Sequence, residues 1–148
     1  MLNKETLIGT CQSLLNEKLK VVQKNIFRIQ EDANNETKSA MGDKYETGRA
    51  LLQNEKDKFL LQKDQIMTDQ MALSKISITD SPIVNFGAIV KTNKGIYFLS
   101  ISLGQIKIND QMIFALSPSS PMGQLLLNKN VGETVTFRGN SFLIESIH

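Results

Sequence analysis

The first 81 residues contain no proline, and this feature most constrains the fold. All three prolines, Pro82, Pro118 and Pro121, come later. Because a proline inside a helix removes a backbone hydrogen bond and clashes with the preceding turn, a proline-free stretch of this length can hold long uninterrupted helices. The same stretch is rich in leucine, lysine, glutamate, glutamine and aspartate. Residues 1–76 are therefore predicted to be helical.

Apolar residues of this first part recur at steps of three and four, which lays them along one face of a helix. They are Cys11, Leu15, Leu19, Val22, Ile26, Ile29 and Ala33. A second, less complete stripe consists of Tyr45, Gly48, Leu52, Phe59 and Ile66, with Glu55 and Gln62 at the intermediate seam positions. The Asn, Ser and Gly residues between the stripes indicate a chain reversal. The pattern predicts an antiparallel coiled-coil hairpin over 1–76, with its tip near 34–46.

The rest of the chain has a different composition. From Pro82 onward it contains six glycines and short runs of valine, isoleucine, phenylalanine and threonine, which is typical of strands and turns. Residues 77–82 are predicted to form a linker. Strands are expected at 83–90, 96–102, 106–108, 112–114, 135–137 and 142–147. Ser120 can cap a short helix whose first turn includes Pro121. Residues 83–148 are therefore predicted to form a small sheet-and-helix domain, and the whole chain is predicted to be an α+β protein.

The single cysteine and the single histidine limit the reactions that this protein could catalyse. Cys11 lies on the first apolar stripe, so we expect a buried filler of the seam and neither a nucleophile, a disulfide nor a zinc ligand. His148 is the last residue of the sequence, so no internal histidine is present to act as a base or a metal ligand. Most hydrolase and transferase chemistry is therefore excluded.

Charge and hydropathy favour a protein partner. The net charge is only +2, which does not suggest that a basic surface wraps nucleic acid. No apolar run approaches the ~20 residues that span a membrane. The first ten residues carry Lys4 and Glu5 and lack the pattern of a signal peptide. We expect a monomeric, cytoplasmic protein with no membrane partner.

Several motifs of the second part occur together in one known family. Residues 117–135, Ser-Pro-Ser-Ser-Pro-Met-Gly-Gln-Leu-Leu-Leu-Asn-Lys-Asn-Val-Gly-Glu-Thr-Val, resemble the Ser-Pro-hydrophobic-Gly, Leu-Leu and Lys-x-x-Gly-Asp-x-Val segment of the bacterial Gre transcript-cleavage factors. Residues 86–90, Phe-Gly-Ala-Ile-Val, are similar to the Phe-Gly-Ala-x-Val that opens the same domain. The likeness covers about 83–148, and it is fairly specific because several motifs recur in register.

This resemblance implies a fold and a partner. The domain at 83–148 would be FKBP-like and would dock on the rim of the secondary channel of RNA polymerase, while the coiled coil enters the channel. The factor would then not be an enzyme itself, but would assist the polymerase's own nuclease in cleaving backtracked RNA. RNA polymerase is the implied partner. The protein would contact the RNA 3′ end and any DNA only within its complex with the polymerase. Ser119, Ser120 and Pro121 match the family's rim-contacting residues, although Ser119 stands where the family has Asn or Asp.

The resemblance also implies a catalytic tip. The family's tip carries Gly-Asp-Leu-x-Glu, whose carboxylates help to hold a second magnesium ion and to position a water. Here residues 42–46, Gly-Asp-Lys-Tyr-Glu, have the Gly, the Asp and the Glu at that spacing. Asp43 and Glu46 are thus the implied catalytic residues and the implied ligands of a Mg²⁺ shared with the polymerase; the free protein is expected to hold no cofactor. Lys38, Lys44 and Arg49 are candidates for contact with the RNA 3′ end.

The tip sequence leaves a second alignment open. If Tyr45 and Arg49 match a later Tyr and Arg of the family's helix, no acidic pair falls at the catalytic position. The nearest acids would then be Glu31, Asp32 and Glu36. In that case the protein would inhibit or regulate RNA polymerase without cleavage activity. A passive coiled-coil interaction protein is the remaining alternative, and a prolyl isomerase is disfavoured because the few aromatic residues after Pro82 mostly alternate like core residues.

Overall fold

The structure is a computed structural model that describes residues 2–39 and 43–148, with side chains for 2–35 and 47–148. The helices are α1 (Lys4–Ser39), α2 (Asp43–Ser74) and α3 (Pro121–Leu126). The strands are β1 (Ile89–Thr92), β2 (Gly95–Leu99), β3 (Gly104–Ile108), β4 (Gln111–Leu116), β5 (Thr134–Phe137) and β6 (Asn140–Ile147). Two long helices thus precede a sheet with one small helix, and the predicted α+β fold is confirmed.

The chain divides into two compact units. The hairpin unit is Ser13–Gln70, which holds most of α1 and α2. The sheet unit comprises Met1–Gln12 and Met71–His148. Within the described residues, no helix combines the length and the apolarity that crossing a membrane requires.

Two hydrogen bonds show that α1 and α2 run antiparallel in the hairpin unit. Lys56 Nζ donates to Gln30 Oε1 at 2.7 Å, and Gln70 Nε2 donates to Asn16 Oδ1 at 2.8 Å. Residues further along α2 therefore meet residues closer to the start of α1, as the predicted hairpin requires.

The seam of α1 agrees with its sequence pattern. Every residue of the first apolar stripe is buried or half-buried, and Leu15 and Ile29 are almost fully so. The helix begins after Asn3, whose Oδ1 accepts hydrogen bonds from the backbone N–H groups of Glu5 at 2.8 Å and Thr6 at 3.3 Å. It continues without a break to Ser39, so the asparagines at 34 and 35 do not end it.

The seam of α2 differs from the prediction by one residue at two places. Leu52, Phe59 and Ile66 face inward as predicted, but Glu55 and Gln62 are exposed. The half-buried positions between the apolar residues are instead Lys56 and Lys63. A lysine can occupy such a position because its four-carbon stem covers apolar surface while its ammonium group reaches the edge of the seam.

The sheet unit contains one six-stranded sheet in the order β3-β4-β2-β1-β6-β5. The strands β2 and β4 are parallel, and all other neighbours are antiparallel. The predicted strand at 83–90 begins only at Ile89, because Gly87 has a φ of +93° and Ala88 N donates to Asn85 O at 3.0 Å in a turn. Residue Ile83 makes only an isolated bridge, to Asn130.

One hydrophobic cluster of the sheet unit includes α3. Its buried residues come from the segment before β1, from the strands and from α3: Val84, Ala88, Val90, Leu99, Met122, Leu126, Val135, Phe142, Ile144 and Ile147. Tyr97 packs at the border of this core, with its ring 5.8 Å from that of Phe114 and 6.2 Å from that of Phe142. The core holds α3 and the turn before it in place.

Candidate functional site

The turn before α3 is held by its own hydroxyl groups. Ser120 is the N-cap: its Oγ accepts from the backbone N–H of Gly123 at 3.1 Å and donates to the carbonyl of Ser117 at 2.6 Å. Pro121 occupies the first turn, where a missing N–H costs no helical hydrogen bond. The cap that the sequence predicts at this point is confirmed.

The three predicted rim residues differ in what they expose. Ser119 and Pro121 are exposed, whereas Ser120 is half-buried. The hydroxyl of Ser119 shares a hydrogen bond with that of Ser117 at 2.6 Å, and its carbonyl accepts from Gln124 Nε2 at 2.9 Å. Ser120 therefore shapes the turn, and Ser119 and Pro121 present its surface.

At two positions in the motifs that resemble the Gre family, the structure explains why the residue is glycine. A Cβ on Gly123 would collide with the carbonyl oxygen of Ser117 and lie 2.8 Å from Ser120 Oγ. At Gly87 the φ of +93° is unfavourable for other residues, and a Cβ there would lie 2.5 Å from Ile76 Cγ2. Both positions therefore require glycine, independently of any resemblance.

The loop after α3 is organised by a carboxylate. Glu133 Oε2 accepts hydrogen bonds from the backbone N–H of Asn130 at 2.6 Å and from its side chain at 3.3 Å. These hydrogen bonds hold the pKa of Glu133 below its usual value. Gly132 has a φ of +92°, and Val135 is buried. The Lys-x-x-Gly-acid-x-Val pattern thus forms a self-contained turn that leads into β5.

The predicted tip residues fall at the ends of the long helices. Asp43 is the first residue of α2, and Glu46 stands three residues further on, while Lys38 is near the end of α1. The side chains of Asp43, Glu46, Lys38 and Lys44 lie outside the described residues, so their roles stay predictions. Residue Glu36 of the alternative alignment has its side chain outside them as well.

The side chain of Arg49, unlike those of the other predicted tip residues, lies within the part that the structure describes, and it is exposed. It lines a cleft of about 150 Å³ on the hairpin unit. The other residues around this cleft are Ile29, Gln30, Ala33, Leu52, Gln53 and Lys56. Lys56 and Gln30 join across it through the hydrogen bond given above. The cleft therefore brings a guanidinium and an ammonium group to one side of the hairpin.

A second cleft, of about 290 Å³, lies at the start of α1 within the sheet unit. Lys4 in its wall is only 9% exposed, and its Nζ donates to the carbonyls of Ser77 and Thr79, each at 3.4 Å. Burial lowers the pKa of Lys4, and the charge of Asp80 partly opposes this. Asp80 Oδ2 also lies 3.7 Å from His148 Nδ1. The sequence carries no signal for this arrangement, because a lysine at the start of a helix is ordinarily solvated.

The part of the chain that the structure describes contains no group of three or more His, Cys, Asp or Glu side chains that could hold a metal ion. Cys11 is buried in the seam as predicted, and burial raises the pKa of its thiol to about 11. A thiol with so high a pKa is almost entirely protonated near neutral pH and is a poor nucleophile.

Comparison with known proteins gives structural likeness only. No family model matches the chain, and no curated protein matches it. One similar solved structure is GreA factor homolog 1 (Gfh1) of Thermus thermophilus, with 17% identity over 93% of this chain and 94% of that one and a TM-score of 0.37. Another, described as the transcription factor Gfh1, has 17% identity over 93% and 92% and a TM-score of 0.36. The Gfh1 of Thermus aquaticus has 18% identity over 92% of each chain and a TM-score of 0.34.

The description of the first of these structures names GreA, a Gre factor. At these identities and TM-scores the likeness assigns neither an activity nor a partner to this chain.

Proposed function

We propose that this protein is a Gre-like transcription factor that binds RNA polymerase, inserts its hairpin into the secondary channel and stimulates cleavage of backtracked RNA. The observation that carries the proposal is the segment 117–135. Its motifs resemble those of Gre factors in order and spacing, and Ser120, Gly123 and Glu133 have physical roles in one capped turn and the loop that follows α3. The same chain also contains a long antiparallel helical hairpin.

The turn before α3 is the proposed docking surface. Ser119 and Pro121 are exposed there, and the hydrogen bonds of Ser120 fix the shape of the turn without any partner. A surface that is already ordered loses little conformational entropy on binding. This supports docking through the sheet unit, with the hairpin free for a second task.

The hairpin tip is the proposed site of the chemistry. Gln30 lies thirteen residues before position 43, and its partner Lys56 lies thirteen residues after it. Asn16 and Gln70 are likewise both 27 residues from position 43. This symmetry supports a location of Asp43 near the tip.

Asp43 and Glu46 would supply two carboxylates to a magnesium ion and an attacking water at the active centre of the polymerase. Carboxylates suit both tasks, since Mg²⁺ prefers hard oxygen ligands and a water needs an acceptor to orient it. Two carboxylates are too few to hold Mg²⁺ alone, so the ion would bind only when polymerase and RNA complete the site. Lys38, Lys44 and Arg49 would contact the RNA 3′ end.

A binding experiment tests the docking part of the proposal. The wild-type protein should bind RNA polymerase, Asp43→Asn should bind equally well, and Ser119→Arg should bind at least about tenfold more weakly, because a bulky charge would intrude on the contact. Ser141→Arg, at an exposed position of β6, is the matched control and should bind like the wild type. Wild-type protein that did not bind polymerase at all would contradict the proposal and favour a passive coiled-coil protein. Unchanged binding by Ser119→Arg would remove the docking assignment.

A further inference from the structure

The polar residues of the α2 seam are placed at regular intervals. Lys56, Lys63 and Gln70 follow one another at steps of seven residues, and all three are half-buried. On α1, the amide side chains Asn16, Gln23 and Gln30 are also seven residues apart. The first and last of these amides accept hydrogen bonds from Gln70 and Lys56, at 2.8 and 2.7 Å. The same antiparallel spacing places Gln23 opposite Lys63.

This arrangement matters because the apolar seam of α1 does not define a register. Along α1, apolar residues occupy both seam positions of each heptad. They are Leu15, Leu19, Val22, Ile26, Ile29 and Ala33. If α2 slid along α1 by three or four residues, Leu52, Phe59 and Ile66 would still meet apolar side chains. Hydrophobic contact alone would therefore tolerate such a slip.

The polar positions of α2 remove this freedom. In the slipped pairing Lys56 would no longer meet the side-chain oxygen of Gln30, and Gln70 would no longer meet that of Asn16, so both hydrogen bonds would be lost. Each lost hydrogen bond removes a favourable contact at the edge of the seam, so the pairing in which these donors meet amides is preferred. Single polar residues set register in this way in other coiled coils, at some expense of stability.

We propose that Asn16, Gln23 and Gln30 with Lys56, Lys63 and Gln70 form a register ladder that determines which residues occupy the hairpin tip. A slip of three to four residues moves α2 along α1 by about 5 Å, one helical turn. It would also move the midpoint of the hairpin by about two residues, and so carry Asp43 and Glu46 away from the tip. The six ladder residues are thus positioning residues. Their effect on cleavage rests on the proposed function, whereas their effect on register does not.

Distance measurements between two spin labels test the register directly. Lys18→Cys and Asn54→Cys are exposed positions outside the ladder, and in the observed pairing they are offset by fourteen residues, about 21 Å along the helix axes. The buried, protonated thiol of Cys11 should not compete for the label. The wild-type ladder should give one distance. Lys56→Leu/Lys63→Leu should give a second population of molecules, in which α2 is shifted along α1 by about 5 Å and the distance between the labels differs accordingly. Its thermal stability should not be lower.

Two further variants serve as controls. Glu55→Leu/Gln62→Leu makes the same number of leucines at the exposed positions next to the ladder, and it should keep the single distance. Gln30→Lys with Lys56→Gln exchanges donor and acceptor within one rung, so it should also keep the single distance, whereas Gln30→Lys alone places two ammonium groups together and should disturb it. A single, unshifted distance in Lys56→Leu/Lys63→Leu would overturn the ladder.

A functional measurement distinguishes this proposal from the one on which its consequence rests. In a cleavage assay, Lys56→Leu/Lys63→Leu should lose at least tenfold in stimulated rate although it is no less stable, and Glu55→Leu/Gln62→Leu should retain the wild-type rate. Stability that is kept while activity is lost is not expected of residues with a merely structural role. If the wild type stimulated no cleavage, the proposed function would fail, and the spin-label distances would still decide whether the ladder sets the register.

Discussion

The sheet unit and the hairpin unit are stabilised in different ways. In the sheet unit, residues from the strands, from α3 and from the segment before β1 surround one another, and Phe98, Leu126 and Ile144 are almost fully buried. In the described residues of the hairpin unit, only Leu15, Val22, Ile29 and Ile66 are classed as buried. Large apolar side chains such as Phe27 and Leu61 remain exposed there, at 67% and 71%.

This difference indicates a division of roles. A core closed on all sides fixes the shape of a surface, as at the turn before α3. A two-helix seam buries less, so its register is proposed to depend on a few polar contacts, and in the proposed function the hairpin acts through the position of its tip. The predictions that follow test this contrast, from the largest expected effect to the smallest.

Truncation of a core side chain should have the largest effect in the sheet unit. Phe98 is 0% exposed, so Phe98→Ala should lower the free energy of unfolding by about 3–5 kcal/mol. Ile29 is 2% exposed but is covered mainly by one other helix, so the cavity left by Ile29→Ala can collapse, and we expect a cost of about 2 kcal/mol. Urea unfolding of both variants measures the two values. Equal costs would contradict the contrast between the units.

Two glycine substitutions should have effects of opposite sign. Gly123→Ala forces a methyl group against the carbonyl of Ser117, so it should destabilise the protein by about 1–3 kcal/mol. Gly9 lies in α1 with nothing within 4 Å of the added methyl group, so Gly9→Ala should stabilise the protein by about 0.5–1 kcal/mol through helix propensity. Thermal unfolding of the pair tests both signs, and a stabilising Gly123→Ala would show that the turn before α3 is less closely packed than described.

The smallest predicted effect concerns the stability of the protein at acidic pH. Because the folded pKa of Glu133 lies below its unfolded value of about 4.3, its stabilising contribution is complete above that value and is lost as the pH falls through the folded pKa. Glu133→Gln should therefore reduce the loss of stability as the pH falls below about 4.3. Glu145→Gln, at an exposed position of β6, is the control and should follow the wild type. An acid profile identical in Glu133→Gln and the wild type would mean that the loop is not held by this carboxylate.

Much of the fold could be predicted from local patterns. The stripe from Cys11 to Ala33 follows from a repeat that any straight helix obeys, and the cap at Ser120 with Pro121 follows from side-chain chemistry within one turn. For α2, the sequence pattern predicts Glu55 and Gln62 at the seam, one residue away from the half-buried lysines. The pattern treats lysine as polar, although the stem of a lysine can be half-buried.

Other features depend on contacts that no local pattern records. The sequence pattern predicts too early a start for β1, because it includes Gly87 in the strand. Position 87 requires glycine because of a close approach to Ile76, which lies outside the local pattern. The parallel pairing of β2 with β4 and the burial of Lys4 against Ser77 and Thr79 both join segments far apart in sequence. The roles of Asp43 and Glu46 stay predictions from motif spacing.

The central claim, that the hairpin tip contributes carboxylates to RNA cleavage, is tested most directly by the rate of cleavage in a purified backtracked polymerase complex. We predict that the wild-type protein accelerates cleavage and that Asp43→Asn and Glu46→Gln each lose about 10²-fold of the stimulated rate while still competing with the wild type for polymerase. Glu31→Gln and Asp32→Asn, at exposed positions further from the tip, should retain the wild-type rate. A wild-type protein that slows cleavage or leaves it unchanged, or an Asp43→Asn variant with full activity, would contradict the claim and favour an inhibitor.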